Sequence, residues 1–372
     1  MRILIVDDSV VFRSQIKSAL EGIKDIVVVA SAANGKIAME RLEQNSIDVV
    51  ILDLEMPVMD GLSMLEEMKK KSYNQRVIVF AAPTGTGIDL ALTALHAGAS
   101  DFIAKPNSSG SLEEAFEGIQ KELIPKILQF KSKIEHNLIY IPKSDQNPES
   151  ASLPVSSPNQ EPKQIIVYDK RLNIKDFSLI KPKVIGIGAS TGGPSALEKI
   201  FEKIKELPLR IPIFITQHMP PKFTEALANR IQVISGHPTH EATHGETALP
   251  GHVYVAPGDF HMSVDRSSDG QRVIICLDQN PKRNSVRPAV DTLFESLARV
   301  YGNGCTAFVL TGMGEDGMVG AKAIKEVSGN IIIQDPESAT VWGMPGAVHA
   351  TGAYDSMGNL EECSDYLRQM IG

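Results

Sequence analysis

Ile3-Leu-Ile-Val-Asp-Asp-Ser9 decides how the first third of the chain is read. Four apolar residues in a row are stopped by two acids, and Val10–Leu20 then carries helical spacing. A continuous apolar run, in place of an alternating one, belongs to a strand buried on both faces. The same pattern recurs at 26–30, 49–52, 77–80 and 99–104, with helical stretches such as 37–42 between. Five such βα units predict a doubly wound α/β domain with a parallel sheet over residues 1–124.

Residues 125–141 keep helical periodicity, and then the composition changes. Residues 142–162 hold five prolines and five serines. Such a stretch cannot bury enough apolar surface to offset its ordering entropy, so 125–180 reads as a flexible linker. A second domain is expected over 181–372. Its apolar runs at 184–188, 211–216, 306–310 and 330–334 alternate with helices from about 194 and over 319–327. The runs 252–256 and 272–277 read as strands of a hairpin region. The expectation is a second α/β domain with a mostly parallel sheet and an antiparallel edge.

Composition narrows the function classes. A 372-residue chain with 42% hydrophobic and 22% charged residues is ordinary for two globular domains. No run reaches the roughly 18 apolar residues of a membrane span. The start of the chain lacks the pattern of a signal peptide. Net charge is -8, which disfavours a nucleic-acid partner. Cys276, Cys305 and Cys363 are far apart and odd in number, which excludes a disulfide framework and suits a reducing, cytoplasmic location.

Asp7 and Asp8 follow the first strand, Asp53 ends the third and Lys105 follows the fifth. In a parallel sheet these are carboxyl ends, where ligand sites form. Converging carboxylates suit a hard cation such as Mg2+, and a lysine opposite would touch an anionic ligand. Taken singly, strand-end acids are loop residues that cap helices; Asp8 or Ser9 could cap the first helix. The second domain repeats the arrangement. Gly188-Ala-Ser-Thr-Gly192 is a G-x-S-x-G turn between strand and helix, His218 follows another strand, and Asp316 lies just after a third. Singly these read as a packing turn, a loop histidine and a turn aspartate. Together they offer a nucleophile, a base and an orienting acid. Their chain order, Ser then His then Asp, is not that of the α/β-hydrolases.

Two resemblances follow. Ile-Leu-Ile-Val-Asp-Asp-Ser (3–9), Asp-Leu-Glu-Met-Pro-Val-Met-Asp-Gly-Leu (53–62) and Ala-Gly-Ala-Ser-Asp-Phe-Ile-Ala-Lys-Pro (97–106) resemble a response-regulator receiver domain. The resemblance implies Asp53 as phospho-acceptor. It also implies Mg2+ held by Asp7, Asp8, Asp53 and the Glu55 carbonyl, with Lys105 on the phosphoryl group. One position departs: Ala81 stands where such domains carry a Ser or Thr hydroxyl, with Thr84 and Thr86 displaced from it. Phe102 occupies the usual aromatic position.

The second part, at 186–194, 216–220, 249–262, 287–294 and 310–317, resembles the catalytic domain of chemotaxis protein-glutamate methylesterases. That resemblance implies Ser190 as nucleophile, His218 as base and Asp316 as orienting acid. Thr191 would line the site and the Met313 amide would help hold the oxyanion. It implies hydrolysis of glutamate γ-methyl esters, and deamidation of glutamines, on the cytoplasmic domains of methylated chemoreceptors. No cofactor is needed for that step. A chemotaxis histidine kinase would be the phospho-donor.

Three other readings compete. His240-Glu-Ala-Thr-His244 is a literal H-E-x-x-H with His237 nearby, but Pro238 and Gly245 deny it the helix that a zinc peptidase needs. Gly186, Gly188 and Gly192 partly mimic a dinucleotide fingerprint, yet the next strand ends in Gln217-His218 with no acid for a ribose. The third is an adaptor that binds receptors without catalysis, against which the complete Ser190, His218 and Asp316 set argues.

Overall fold

Each apolar run becomes a strand, because a peptide group buried on both faces finds its hydrogen bonds only in a neighbouring strand. The structure, a computed structural model, describes residues 1–105, 112–131, 141–142, 167–168 and 181–371. The first unit contains β1 (Arg2–Val6), α1 (Val10–Leu20), β2 (Val27–Ala32), α2 (Gly35–Gln44) and β3 (Val49–Asp53). It continues through α3 (Gly61–Lys70), β4 (Arg76–Ala81), α4 (Gly85–Ala97), β5 (Asp101–Ala104) and α5 (Leu112–Leu128). The five strands are parallel in the order β2-β1-β3-β4-β5. Side-chain caps start the first helices: Ser9, Asn34, Asp60 and Thr84 each accept from a backbone N–H in the first turn. Helix α5 runs on past residue 124, and Ile127 and Phe130 bury against the same core.

Two short strands, β6 (Ile141–Pro142) and β7 (Val167–Tyr168), pair in parallel. The Pro/Ser-rich stretch beyond residue 142 lies outside the described residues.

The second unit has seven parallel strands in the order β10-β11-β9-β8-β14-β15-β16. They are β8 (Val184–Ala189), β9 (Ile213–Gln217), β10 (Thr239–Glu241), β11 (Val253–Val255), β14 (Cys305–Val309), β15 (Asn330–Gln334) and β16 (Ser356–Gly358). Helices α6 (Gly193–Lys203), α7 (Phe223–Ser235), α8 (Val290–Tyr301), α9 (Met318–Glu326), α10 (Gly343–Thr351) and α11 (Leu360–Ile371) cover it. Two expectations need correction. The run at 252–256 supplies β11, which pairs in parallel with β9 and is no part of a hairpin. The antiparallel pair is β12 (His261–Arg266) with β13 (Val273–Asp278), a separate ribbon and not an edge of the sheet. A three-residue strand carries no signal of its partner; tertiary packing chose it.

The units meet along α4, β5 and α5 of the first and α6 and α7 of the second. Phe102 stacks on Phe223 with ring centroids 4.6 Å apart and planes at 22°, a geometry worth about 0.5–1.5 kcal/mol beyond the area buried. Ser195 Oγ donates to the Leu95 carbonyl at 2.8 Å. Glu198, buried on α6, pairs with His96 of α4 at 2.7 Å and with Arg230 of α7.

Candidate functional site

Both sheets open a crevice at their first strand, where successive connections leave in opposite directions. In the first unit, β1 and β3 carry Asp7, Asp8 and Asp53 to one place. One ligand atom from each lies within 4.8 Å of the others. Asp7 and Asp53 are buried and Asp8 is exposed. Asp7 Oδ1 accepts from the Ser9 N–H at 2.8 Å, while its buried Oδ2 has no hydrogen-bond partner. Lys105 Nζ stands 2.7 Å from Asp53 Oδ1 and 3.7 Å from Asp7 Oδ2. Burial, then the Asp53 charge, pushes the Asp7 carboxyl up to about 6 against the pull of Lys105. A buried orphan oxygen, a raised carboxyl and two neighbouring acids fit a hard cation. Glu55 is exposed, and its N–H reaches Asp53 Oδ1 at 3.4 Å. The Lys105 N–H donates to the Ala81 carbonyl at 2.7 Å. The Thr84 hydroxyl is engaged as the cap of α4, accepting from the Gly87 N–H.

In the second unit, β8 ends at Ala189 and the chain turns through Ser190, Thr191 and Gly192 into α6. Gly192 has φ +77°, and a Cβ there would lie 2.4 Å from Thr340 Oγ1. The Ser190 N–H donates to the Thr311 carbonyl at 3.0 Å, and a Cβ on Gly312 would lie 2.8 Å from Ser190 Cβ. Two glycines thus let the turns after β8 and β14 close on the serine.

His218 follows β9, its N–H bonded to the Ala189 carbonyl at 3.1 Å. Its Nε2 meets Asp316 Oδ2 at 2.8 Å. With the proton held on Nε2 by that acceptor, Nδ1 is the nitrogen free to act as base. The Ser190 hydroxyl makes no hydrogen bond to His218 here. Asp316 is buried and heavily donated to: Val290 N–H at 2.6 Å, Asp291 N–H and Gly317 N–H at 3.1 Å, and Asn284 Nδ2 at 3.2 Å. Burial alone would raise its carboxyl. The His218 bond and charge and the N–H groups opening α8 hold it below the ordinary carboxylate value. The Thr191 and Met313 N–H groups have no partner among the described residues. Thr191 is buried, its hydroxyl donates across the interface to Asp101 Oδ2 at 2.6 Å, and Lys126 pairs with the same oxygen at 2.7 Å. A cavity of about 490 Å3 lies between the units, walled by Phe102, Lys126, His218, Met219, Pro220 and Arg287.

The competing motifs resolve differently. His240 sits on β10 and pairs with Glu246, Glu241 accepts from Thr224, and His244 Nδ1 accepts from the Leu277 N–H. His237 is buried and donates to the Ile204 carbonyl. These partners point four ways, and among the described residues the four side chains do not gather into a metal-ligand group. Gly186 and Gly188 leave room for α8: a Cβ on either would lie 2.7 Å from Leu297 or 2.4 Å from Val290. They serve packing, not a dinucleotide.

A family model described as CheB methylesterase matches residues 185–367, and one described as response regulator receiver domain matches 3–117. A protein-glutamate methylesterase/protein-glutamine glutaminase of Paramagnetospirillum magneticum is 39% identical over 370 residues, covering 100% of this chain and 96% of its own. This chain belongs to the CheB methylesterase family. A protein of the same description from Trichodesmium erythraeum is 38% identical over 371 residues, covering 100% of this chain and 99% of its own. The solved CheB methylesterase catalytic domain of Thermotoga maritima is 38% identical over 52% of this chain and 100% of that one, with a TM-score of 0.49.

Within this CheB-family chain, sequence reasoning missed Gln217, Asn284, Asp291 and Asp101. Gln217, Asp291 and Asp101 stood inside segments already quoted, next to His218, at the start of α8 and before Phe102. Asp101 and Asn284 act only through the folded arrangement.

Proposed function

We propose that Ser190, His218 and Asp316 form the nucleophile, base and orienting acid of a protein-glutamate methylesterase acting on the cytoplasmic domains of methylated chemoreceptors. The observation that carries the reading is the 2.8 Å His218–Asp316 pair beside the Ser190 turn. Ser190 Oγ attacks the ester carbonyl as His218 Nδ1 takes its proton. The N–H groups of Met313 and Thr191 receive the oxyanion. His218 then returns the proton to the departing methoxide, giving methanol and an acyl-serine. Water, deprotonated by His218, attacks the acyl-serine, and His218 returns that proton to Ser190 Oγ as the glutamate leaves. With glutamine, ammonia leaves in place of methanol.

The division into receiver (1–124), linker (125–180) and catalytic domain (181–372) belongs to the same reading, with α5 running on to Leu128. Asp53 is the proposed acceptor of a phosphoryl group from a chemotaxis histidine kinase. Asp7, Asp8, Asp53 and the Glu55 carbonyl would hold Mg2+, which supplies positive charge to the transferring group. Lys105 shares that role from the protein side. The contact of Asp101 with Thr191 and the stack of Phe102 on Phe223 support a resting form in which the receiver covers the esterase cleft. Phosphorylation would loosen it, without a hydroxyl at position 81 to help. No described helix is long and apolar enough to cross a membrane. A cytoplasmic enzyme with no nucleic-acid partner and no membrane insertion fits these features.

The test is methanol release from methylated receptor membranes. Release by wild type and its loss in Ser190→Ala are expected; equal release by both would refute the esterase reading.

A further inference from the structure

Gln217 is the last residue of β9 and is 1% exposed. Its Nε2 donates to the Ser190 carbonyl at 2.9 Å and approaches the His218 carbonyl at 3.4 Å. The same Ser190 carbonyl also accepts from the Gly193 N–H at 2.7 Å. The other end of the amide is different: Oε1 is buried with no hydrogen-bond partner. A Cβ on Gly193 would lie 2.0 Å from that oxygen, so only glycine admits the side chain. Chemistry fixes which way the amide points. Turned over, its oxygen would face two carbonyl oxygens, a repulsive arrangement with no donor.

An interior side chain with one end unsatisfied is costly, and Met or Leu would fill the volume without that cost. What the amide supplies that they would not is a single donor between the main chains of the serine and the histidine. Ala189 pairs with Gln217 in the β8–β9 register, so the amide sits one step before both turns begin.

We infer that Gln217 is a positioning residue of the hydrolysis: its amide N–H group ties the Ser190 backbone to the His218 backbone and sets the approach of hydroxyl to imidazole. It touches no substrate. The inference rests on the reading of Ser190 and His218 as nucleophile and base. A misplacement of about 1 Å between such groups is enough to cost on the order of 100-fold in rate.

The test uses the full-length chain and two readouts, methanol release from methylated receptor membranes and labelling of Ser190 by a fluorophosphonate. Gln217→Met keeps the volume and removes the donor. It is expected to lower kcat and the labelling rate by about 10–100-fold with KM within about twofold and an unchanged or higher melting temperature. Gln217→Glu restores one donor only when protonated. Its kcat, as a ratio to wild type at each pH, is therefore expected to rise on acidification, while the Gln217→Met ratio stays flat. Gln217→Met that labels and turns over like wild type would overturn the inference. So would a flat ratio for Gln217→Glu, or a loss confined to KM or melting temperature. A wild type that releases methanol without labelling at Ser190 would instead strike the reading beneath it.

Discussion

Asp7 and Asp316 are both buried aspartates that follow a parallel strand, each at the crevice beside the first strand of its sheet. They lean in opposite directions. Asp7 sits among Asp53 and Asp8, with one backbone N–H to satisfy it, and burial pushes its carboxyl up to about 6. Asp316 is buried as well, but His218 and the N–H groups of Val290 and Asp291 hold its carboxyl down, and Asn284 and the Gly317 N–H donate to it too. Residue type and place in the fold are the same; the neighbours differ. Gathered acids that share few donors make a seat for a cation. A single acid surrounded by donors stays an anion and can orient an imidazolium.

That comparison can be broken most sharply at Asp316. Asp316→Asn keeps the shape but, with its amide turned toward the ring, favours the wrong histidine tautomer. Methanol release is expected to fall by about 10³–10⁴-fold in kcat with little change in KM. A fall of only a few-fold would mean that the donors around Asp316 serve folding alone.

The next largest effect belongs to the interface. Asp101→Ala removes the hydrogen bond to Thr191 and the partner of Lys126. Methanol release by the unphosphorylated chain is expected to rise about 5–10-fold, which corresponds to a coupling energy of about 1–1.4 kcal/mol. Unchanged or lower release would show that the receiver does not restrain the site through this contact.

The last effect is on stability and not on rate, and it lies at Asp7. Its folded carboxyl lies at about 6 against an ordinary 3.8, so ionising it costs stability. That cost is absent at acid pH and grows as pH rises from about 4 to about 6. Without divalent cations, Asp7→Asn is expected to stabilise the receiver by about 1–3 kcal/mol at pH 7 and by nothing near pH 3. Urea unfolding at the two pH values measures it. A gain at both pH values, or at neither, would contradict the contrast with Asp316.

Much of this was legible in the sequence because buried parallel strands announce themselves as apolar runs and their carboxyl ends can be counted off. Asp7, Asp53, Ser190, His218 and Asp316 were all placed at the carboxyl ends of strands that way, as candidates. The supports were not, for physical reasons. Gln217 acts on main-chain carbonyls, which carry no residue signature. Asn284 reaches Asp316 from a loop in which it adopts a positive φ of 49°. Asp101 matters to the second unit only because the first packs against it. The hairpin was misplaced because 252–256 is as apolar as any strand and its neighbour is set by the whole sheet.

The proposed hydrolysis passes through an acylated Ser190. Rapid quenching of the full-length chain with a methylated receptor fragment, followed by mass spectrometry, measures this directly. The account requires a receptor glutamyl ester on the peptide that contains Ser190, formed as methanol appears and missing in Ser190→Ala. Methanol released at the wild-type rate by Ser190→Ala, with no adduct on either protein, would contradict it.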